Sequence, residues 1–261
     1  MKKSTSTNIN LLPGIVILGL LIIWQIISQL NIIPTYMLPS PISVIEAFVS
    51  DFGNLMSNMW ITLLEALWGL LLGIILGLLI ALVMDMFEPI YRAVYPLLVI
   101  SQTVPTVAIA PLLILWFGYG IMPKVVLITI TTFFPVAVEM LDGFRSTDHD
   151  LITLMKTFGA SRWKIYYYVK FPSSIDNFFA SLKISVAYSV VSAVIAEWVG
   201  GFNGLGVYMT RVMKAYSYDK MFAVIFLISI ISLLLIFLVN LLQKIMTPWR
   251  NSHHEQSRSS N

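Results

Sequence analysis

Few residues of this 261-residue sequence could do chemistry, and most of those lie at unusual positions. Glu65, Glu139 and Glu197 fall inside long apolar runs, where an ionisable side chain is costly and is a functional candidate by default. His149 and the pair His253–His254 have no second cluster at metal-ligand spacing, so we expect no metal site. The chain has no cysteine, which excludes disulfides and cysteine nucleophiles. Without paired catalytic carboxylates or a nucleophile motif, the sequence does not predict an enzyme.

The composition explains why so little chemistry is present. Hydrophobic residues make up 58% of the chain and charged residues 11%, and the mean hydropathy is +0.85. A soluble domain is about 25% charged, so these values indicate an integral membrane protein. There is no G-x-x-x-x-G-K-[ST] phosphate loop, so we expect no nucleotide site of that type and no cofactor.

Apolar runs of about 20 residues set the expected architecture. We predict an all-α integral membrane protein with six transmembrane helices, over residues 13–30, 60–84, 96–117, 121–141, 184–199 and 222–242. The first run has no small-x-small cleavage site after it and is interpreted as a retained signal-anchor helix. The predicted transmembrane domain then spans residues 13–250. It lies between a short N-terminus, 1–12, and a polar tail, 251–261, that we expect to be disordered.

The basic residues set the expected orientation. With six spans both termini lie on one side, and twelve of the 16 Lys and Arg residues fall on that side. The positive-inside rule then places both termini and the loop 142–183 in the cytoplasm, with Asp51 and Tyr208 outside. The net charge of +3 is therefore a sign of topology, and we expect no nucleic-acid partner.

The longest cytoplasmic loop, 142–183, predicts two short amphipathic helices. Apolar residues recur at helical spacing from Leu151 to Phe158, and Gly159 is placed to end that helix in a left-handed conformation. Ser161 can cap a second helix, which Pro172 is expected to stop. The residues alone leave two interpretations open: a compact knob that docks on a cytoplasmic partner, or a helix pair lying in the lipid headgroup region.

The same loop resembles the EAA loop of binding-protein-dependent ABC importer permeases. It matches at G-A-S, 159–161, and at F-P, 171–172, and departs at T-L-M, 153–155, where the family has an acidic residue and two small ones. Three further stretches resemble family segments in the right order. They are L-P-S-P at 38–41, A-P-L-L-I-L-W-F-G at 110–118, and E-W-V-G-G followed by G-L-G at 197–206.

This resemblance implies a mechanism and a set of partners. In such importers two permease chains form the pore in the bacterial plasma membrane, two cytoplasmic ATPase subunits bind below, and an external binding protein delivers the solute. The loop would then be the coupling helix, seated in a cleft of the ATPase. The coupling residues implied for this chain are Thr153, Leu154, Met155, Phe158, Gly159, Ala160, Ser161 and Trp163.

Polar residues within the spans are candidates for the translocation path. Gln102, Thr103 and Thr106 lie near two prolines that should bend the third span, and Glu197 lies in the fifth span, which lines the path in this family. We expect all the intramembrane acids to lie close enough to an interface for water to reach them. The alternative is that these groups only make hydrogen bonds between helices.

Three further points remain open in the sequence. Gly69, Gly73 and Gly77 predict a close helix contact, either within one chain or between two copies, with the former favoured. An ATP-independent secondary transporter or channel is the alternative of another class, although no inverted repeat is visible. Among importers, the text around 101–105, 123–126 and 197–200 looks closest to permeases for pyrimidine precursors of thiamine, with sulfonate, taurine and nitrate permeases as the alternative.

Overall fold

The computed structural model describes residues 12–30, 32–34 and 36–248, and within them every regular element is helical. The expected N-terminal segment up to residue 11 and the tail 251–261 lie outside the described residues. The helices are α1 (Leu12–Gln29), α2 (Pro41–Ser50), α3 (Phe52–Met86), α4 (Glu88–Ser101), α5 (Thr106–Phe117), α6 (Ile121–Arg145), α7 (His149–Thr157), α8 (Arg162–Ile165), a π-helical turn (Tyr166–Lys170), α9 (Phe171–Ser173), α10 (Ile175–Gly200), α11 (Leu205–Lys214) and α12 (Tyr218–Met246).

Four of these helices are long and apolar enough to cross a bilayer: α3, α6, α10 and α12. The pair α4 and α5 makes a fifth candidate if the two are one bent span. The first predicted span does form α1, but its apolar stretch Gly14–Gln29 is shorter than the roughly 20 residues that cross a bilayer. The described chain therefore has four or five candidate spans, and the count of six stays a prediction.

The third predicted span is not the continuous helix that residues 96–117 suggested. The helices that form it, α4 and α5, are bent by 101° relative to each other across residues 102–105. Pro105 has no N–H to continue the helical ladder and pushes Val104 out of the helical region, so the chain breaks before α5 begins. The expected bend is thus present, but as a sharp break.

Helix α6 is the central element, and both α3 and α10 pack along it and against each other. The glycine spacing in α3 explains the first contact. A Cβ on Gly69, Gly73 or Gly77 would clash with Ile128, Thr132 or Val136 of α6, one pair for each successive turn of α3. This confirms that the glycines allow close packing of helix backbones within one chain.

The L-P-S-P segment joins α1 to α2 through side-chain contacts. Trp24 donates its indole N–H to the carbonyl of Pro39 at 3.0 Å, and the Ser28 hydroxyl donates to the carbonyl of Leu38 at 3.1 Å. Ser40 caps α2 by accepting the Ser43 N–H at 3.1 Å, and Pro41 opens the helix. The segment therefore turns the chain from α1 into α2.

The absence of cysteine from the sequence makes the expected topology directly testable. We predict that a cysteine replacing Phe202, which is 69% exposed, reacts with an impermeant maleimide added outside intact cells. A cysteine replacing Phe158, which is 78% exposed, should react only after the membrane is opened. Labelling of position 202 only from the cytoplasm would contradict the orientation.

Candidate functional site

The loop after α6 folds into a small helical knob, α7 and α8, joined at Gly159. Asp148 caps α7 by accepting the Asp150 N–H at 2.8 Å. At the other end the N–H of Ala160 donates to Met155 O at 3.0 Å and that of Gly159 to Lys156 O at 2.9 Å, the bond pattern of a Schellman motif. Gly159 has φ +73°, which confirms its predicted left-handed conformation.

The knob presents apolar side chains to solvent. Phe158 is 78% exposed, Trp163 62% and Leu154 52%, while Met155 is half-buried and α7 has no buried residue. Thr153, Ala160 and Ser161 lie on the same short segment, and Ser161 occupies the cap position of α8 without a side-chain hydrogen bond. The structure thus gathers all eight predicted coupling residues on one exposed knob.

The knob is attached to the helix bundle through the π-helical turn that follows α8. Tyr166 is buried there and packs edge-on against Phe144 of α6, with ring centroids 5.7 Å apart. The expectation that Pro172 stops the second helix is wrong. The chain stays helical through the π-helical turn, Pro172 lies at the start of α9, where its missing N–H is tolerated, and the break comes at Ser174.

The break between α4 and α5 carries three of the four predicted path residues. Gln102 and Thr103 are exposed in the isolated chain, and Thr106 at the start of α5 is half-buried. The Thr103 hydroxyl donates to the carbonyl of Ile100 at 2.7 Å. Gln102 has the longest polar side chain at the break. The structure therefore brings these three residues together at one irregular point of the backbone.

Glu197, the fourth predicted path residue, is buried within the chain, with an exposure of 1%. Its carboxylate accepts the Thr62 hydroxyl of α3 at 2.8 Å and the Gly206 N–H at 2.6 Å. A Cβ on Gly204 would clash with this carboxylate, and one on Gly206 with the carbonyl of Val194 and the Cβ of Glu197, so both glycines give the side chain room. Glu197 therefore joins α10 to α3 and to the start of α11.

A buried ion pair that the sequence analysis missed lies beside Glu197. Lys124 of α6 donates to Glu65 of α3 at 2.6 Å, and both side chains are less than a tenth exposed. Lys124 also lies 3.5 Å from the carbonyl of Asn203 in the turn between α10 and α11. The expectation that water reaches Glu65 and Glu197 is wrong for the described chain, because protein covers both. The sequence signal that could have predicted this pair is the presence of opposite charges, Glu65 and Lys124, in the second and fourth predicted spans.

A second polar group fixes the N-terminal end of α3. Asp51 accepts the Tyr208 hydroxyl and, at 3.2 Å, the Lys220 ammonium. The Tyr208 hydrogen bond, with help from Asn54 and Lys220, holds the pKa of Asp51 below its ordinary value, so this carboxylate stays charged at neutral pH. Burial and the Asp51 charge raise the pKa of Tyr208, which therefore remains a hydrogen-bond donor.

Comparison with known proteins shows which family the chain matches. Residues 69–252 match the model of the binding-protein-dependent transport system inner membrane component. The chain is 38% identical to the formylaminopyrimidine transport permease protein ThiX of Halalkalibacterium halodurans, over 91% of this chain and 95% of that protein. It is 29% identical to the putative aliphatic sulfonates transport permease protein SsuC of Bacillus subtilis, over 93% and 87%.

The fold comparison agrees. A chain of the MetNI methionine ABC transporter in an inward-facing conformation superposes with a TM-score of 0.67 at 19% identity, covering 74% of this chain and 96% of that one. The chain belongs to the family of binding-protein-dependent transport system inner membrane components. It is a membrane permease of the ABC importer type, and not itself an enzyme.

The two interpretations of Glu197 differ in what Glu197→Gln should do. Because the carboxylate accepts two donors in a buried site, the amide would leave one donor facing another, at a cost of about 1–3 kcal/mol. We therefore expect the amount of folded protein and its transport to fall together, whereas Glu46→Gln at an exposed position should change neither. Transport per folded molecule, measured in vesicles, distinguishes the two interpretations. A loss of transport without a loss of folded protein would favour the interpretation that Glu197 lines the path.

Proposed function

We propose that this chain forms the translocation path of an ABC importer for a small solute delivered by an external binding protein. Separate cytoplasmic ATPase subunits supply the energy. The observation that carries the proposal is the exposed apolar knob. Docking on a partner would remove the apolar surface of Leu154, Phe158 and Trp163 from water, which makes the free energy of association more favourable. The Schellman motif at Gly159 holds the three side chains in one arrangement, as docking into a cleft requires.

A substitution of Gly159 distinguishes a knob that docks on the ATPase from an interfacial helix pair. If the knob docks, Gly159→Val should strain the left-handed turn by about 1–2 kcal/mol and displace the apolar side chains from the partner cleft. The spans should still insert. Gly159→Asn is the matched control, because asparagine tolerates this conformation.

The measurement is recovery of the ATPase with the tagged permease, followed by ATP-driven uptake in vesicles. We expect the valine variant to lose ATPase recovery or uptake and the asparagine variant to keep both. Full recovery and uptake for the valine variant would support the interfacial helix pair.

The broken helix supports a path between two copies of the chain. Irregular backbone at membrane depth is tolerated only where protein buries it or where it lines a water-filled cavity. Gln102 and Thr103 are exposed in the single chain, so a second copy facing this break would enclose a polar passage with lipid excluded. We propose a homodimer in which Gln102, Thr103 and Thr106 line that passage, with both termini and the knob cytoplasmic.

For the substrate, we propose a pyrimidine precursor of thiamine or a related heterocycle. The name of the 38% identical relative, a formylaminopyrimidine permease, supports this choice over aliphatic sulfonates, which the 29% identical relative is named for. The amide of Gln102 and the hydroxyls of Thr103 and Thr106 are uncharged, which suits a neutral heterocycle that needs hydrogen bonds without a counter-ion.

Competition for uptake tests this choice. In vesicles that contain the permease with its ATPase and binding protein, we expect unlabelled formylaminopyrimidine to suppress ATP-driven uptake of the labelled compound. Taurine and an aliphatic sulfonate should not suppress it. Uptake of labelled sulfonate that the pyrimidine leaves unchanged would favour the sulfonate alternative. Uptake by the purified chain alone, without ATPase or ATP, would favour a secondary transporter or channel.

A further inference from the structure

The π-helical turn that attaches the knob makes its polar contact with the spans at one acidic residue near the end of α3. Asp85, one residue before the end of that helix, has a side chain only 4% exposed. Its carboxylate accepts the Tyr166 hydroxyl and, at 2.5 Å, the Lys170 ammonium, whose side chain is 15% exposed. Both donors belong to the π-helical turn that follows α8. We call Asp85, Tyr166 and Lys170 the inner triad.

The inner triad is the principal polar link between the knob and the bundle. Among the described residues, the side chains of 149–170 make long-range hydrogen bonds only through Tyr166 and Lys170, and both go to Asp85. Burial, together with the Asp85 hydrogen bond and charge, raises the pKa of Tyr166, so its hydroxyl stays a donor. A displacement of the knob therefore reaches α3 through a buried, charge-assisted contact, which is stronger than a neutral hydrogen bond.

The opposite end of α3 has a triad of the same chemistry. Asp51, directly before α3, accepts a tyrosine hydroxyl and a lysine ammonium in the same way, from Tyr208 of α11 and Lys220 of α12. Between the two ends, the glycine face of α3 is packed against the backbone of α6. Helix α3 thus has a similar ion pair at each end, and only the pair at its inner end connects it to the knob.

We propose that Asp85 is the positioning residue that transmits movement of the knob to α3, and through α3 to the packed pair α3–α6. This inference rests on the proposed function, because it assumes that an ATPase drives the knob. A rigid helix that is displaced at one end carries the helix packed along it, so a displacement of Asp85 reaches α6 through the glycine face of α3. Tyr166 and Lys170 are the two contacts through which the displacement arrives.

The test removes the ion pair of the inner triad without leaving a buried charge unpaired. Breaking one partner of a buried ion pair is strongly destabilising, so the variant to use is Asp85→Asn combined with Lys170→Met. The matched control is Asp51→Asn combined with Lys220→Met, which removes the equivalent pair at the outer end. A third variant, Asp85→Lys with Lys170→Asp, exchanges the charges and keeps the attraction.

Each variant is assembled with its ATPase and binding protein, and uptake per ATP hydrolysed is measured in vesicles. We expect the inner double variant to retain the ATPase and its hydrolysis but to lose about tenfold in uptake per ATP, within the usual range of coupling between sites. The exchanged pair should restore much of this ratio, and the outer control should leave it near the original value. A merely structural contact would lower the amount of complex without changing the ratio.

Two results would overturn the inference. One is an unchanged ratio of uptake to hydrolysis in the inner double variant. The other is loss of the ATPase from that variant without recovery in the exchanged pair, which would assign the triad to retaining the partner. Failure of the proposed function is distinguishable from both, because the unaltered chain would then recover no ATPase and show no ATP-driven uptake.

Discussion

The close approach of α3 to α6 is the contact on which the rest of the described structure depends. In lipid there is little hydrophobic force between helices, so association relies on van der Waals packing and hydrogen bonds. Three glycines of α3, at positions 69, 73 and 77, let the two backbones approach, and the hydroxyl of Thr129 lies 3.3 Å from the carbonyl of Gly69. Helix α10 packs against both α6 and α3, and the three helices form the frame that positions the irregular segments.

The functional candidates all lie where this frame becomes irregular. The knob follows α6, the polar break separates α4 from α5, and Glu197 lies in the last turn of α10, beside the turn into α11. A regular span satisfies its own backbone and has little to offer a solute or a partner. Breaks, turns and loops leave polar groups that need partners, and a permease can use those groups for a passage or a docking surface. The frame therefore supplies position, and the irregular segments supply contacts.

The sequence predicted the features that depend on local chemistry. Gly159 could be assigned a left-handed turn because only its lack of a Cβ makes that conformation inexpensive. The spacing of Gly69, Gly73 and Gly77 likewise predicted a close helix contact within the chain. The burial of Lys124 was missed for the opposite reason. Its partners, Glu65 and the carbonyl of Asn203, are about 60 and 80 residues away, and no local pattern brings them together. The inner triad, which joins Asp85 to Lys170, was missed for the same reason.

The buried polar groups beside the C-terminal end of α10 serve two contacts. A buried ion pair is often no more stable than apolar side chains of the same size, so Lys124 and Glu65 are poorly explained by stability alone. Lys124 also reaches the carbonyl of Asn203 in the turn that joins α10 to α11. The N–H groups of Gly204, Leu205 and Gly206, at the end of that turn and the start of α11, donate to Asn58, Thr62 and Glu197. Apolar substitutes for these three acceptors would leave the donors without partners, at about 1–3 kcal/mol each. The acceptors therefore allow α11 to begin in a buried position against α3 and α10, and the Lys124–Glu65 pair lies beside the same turn.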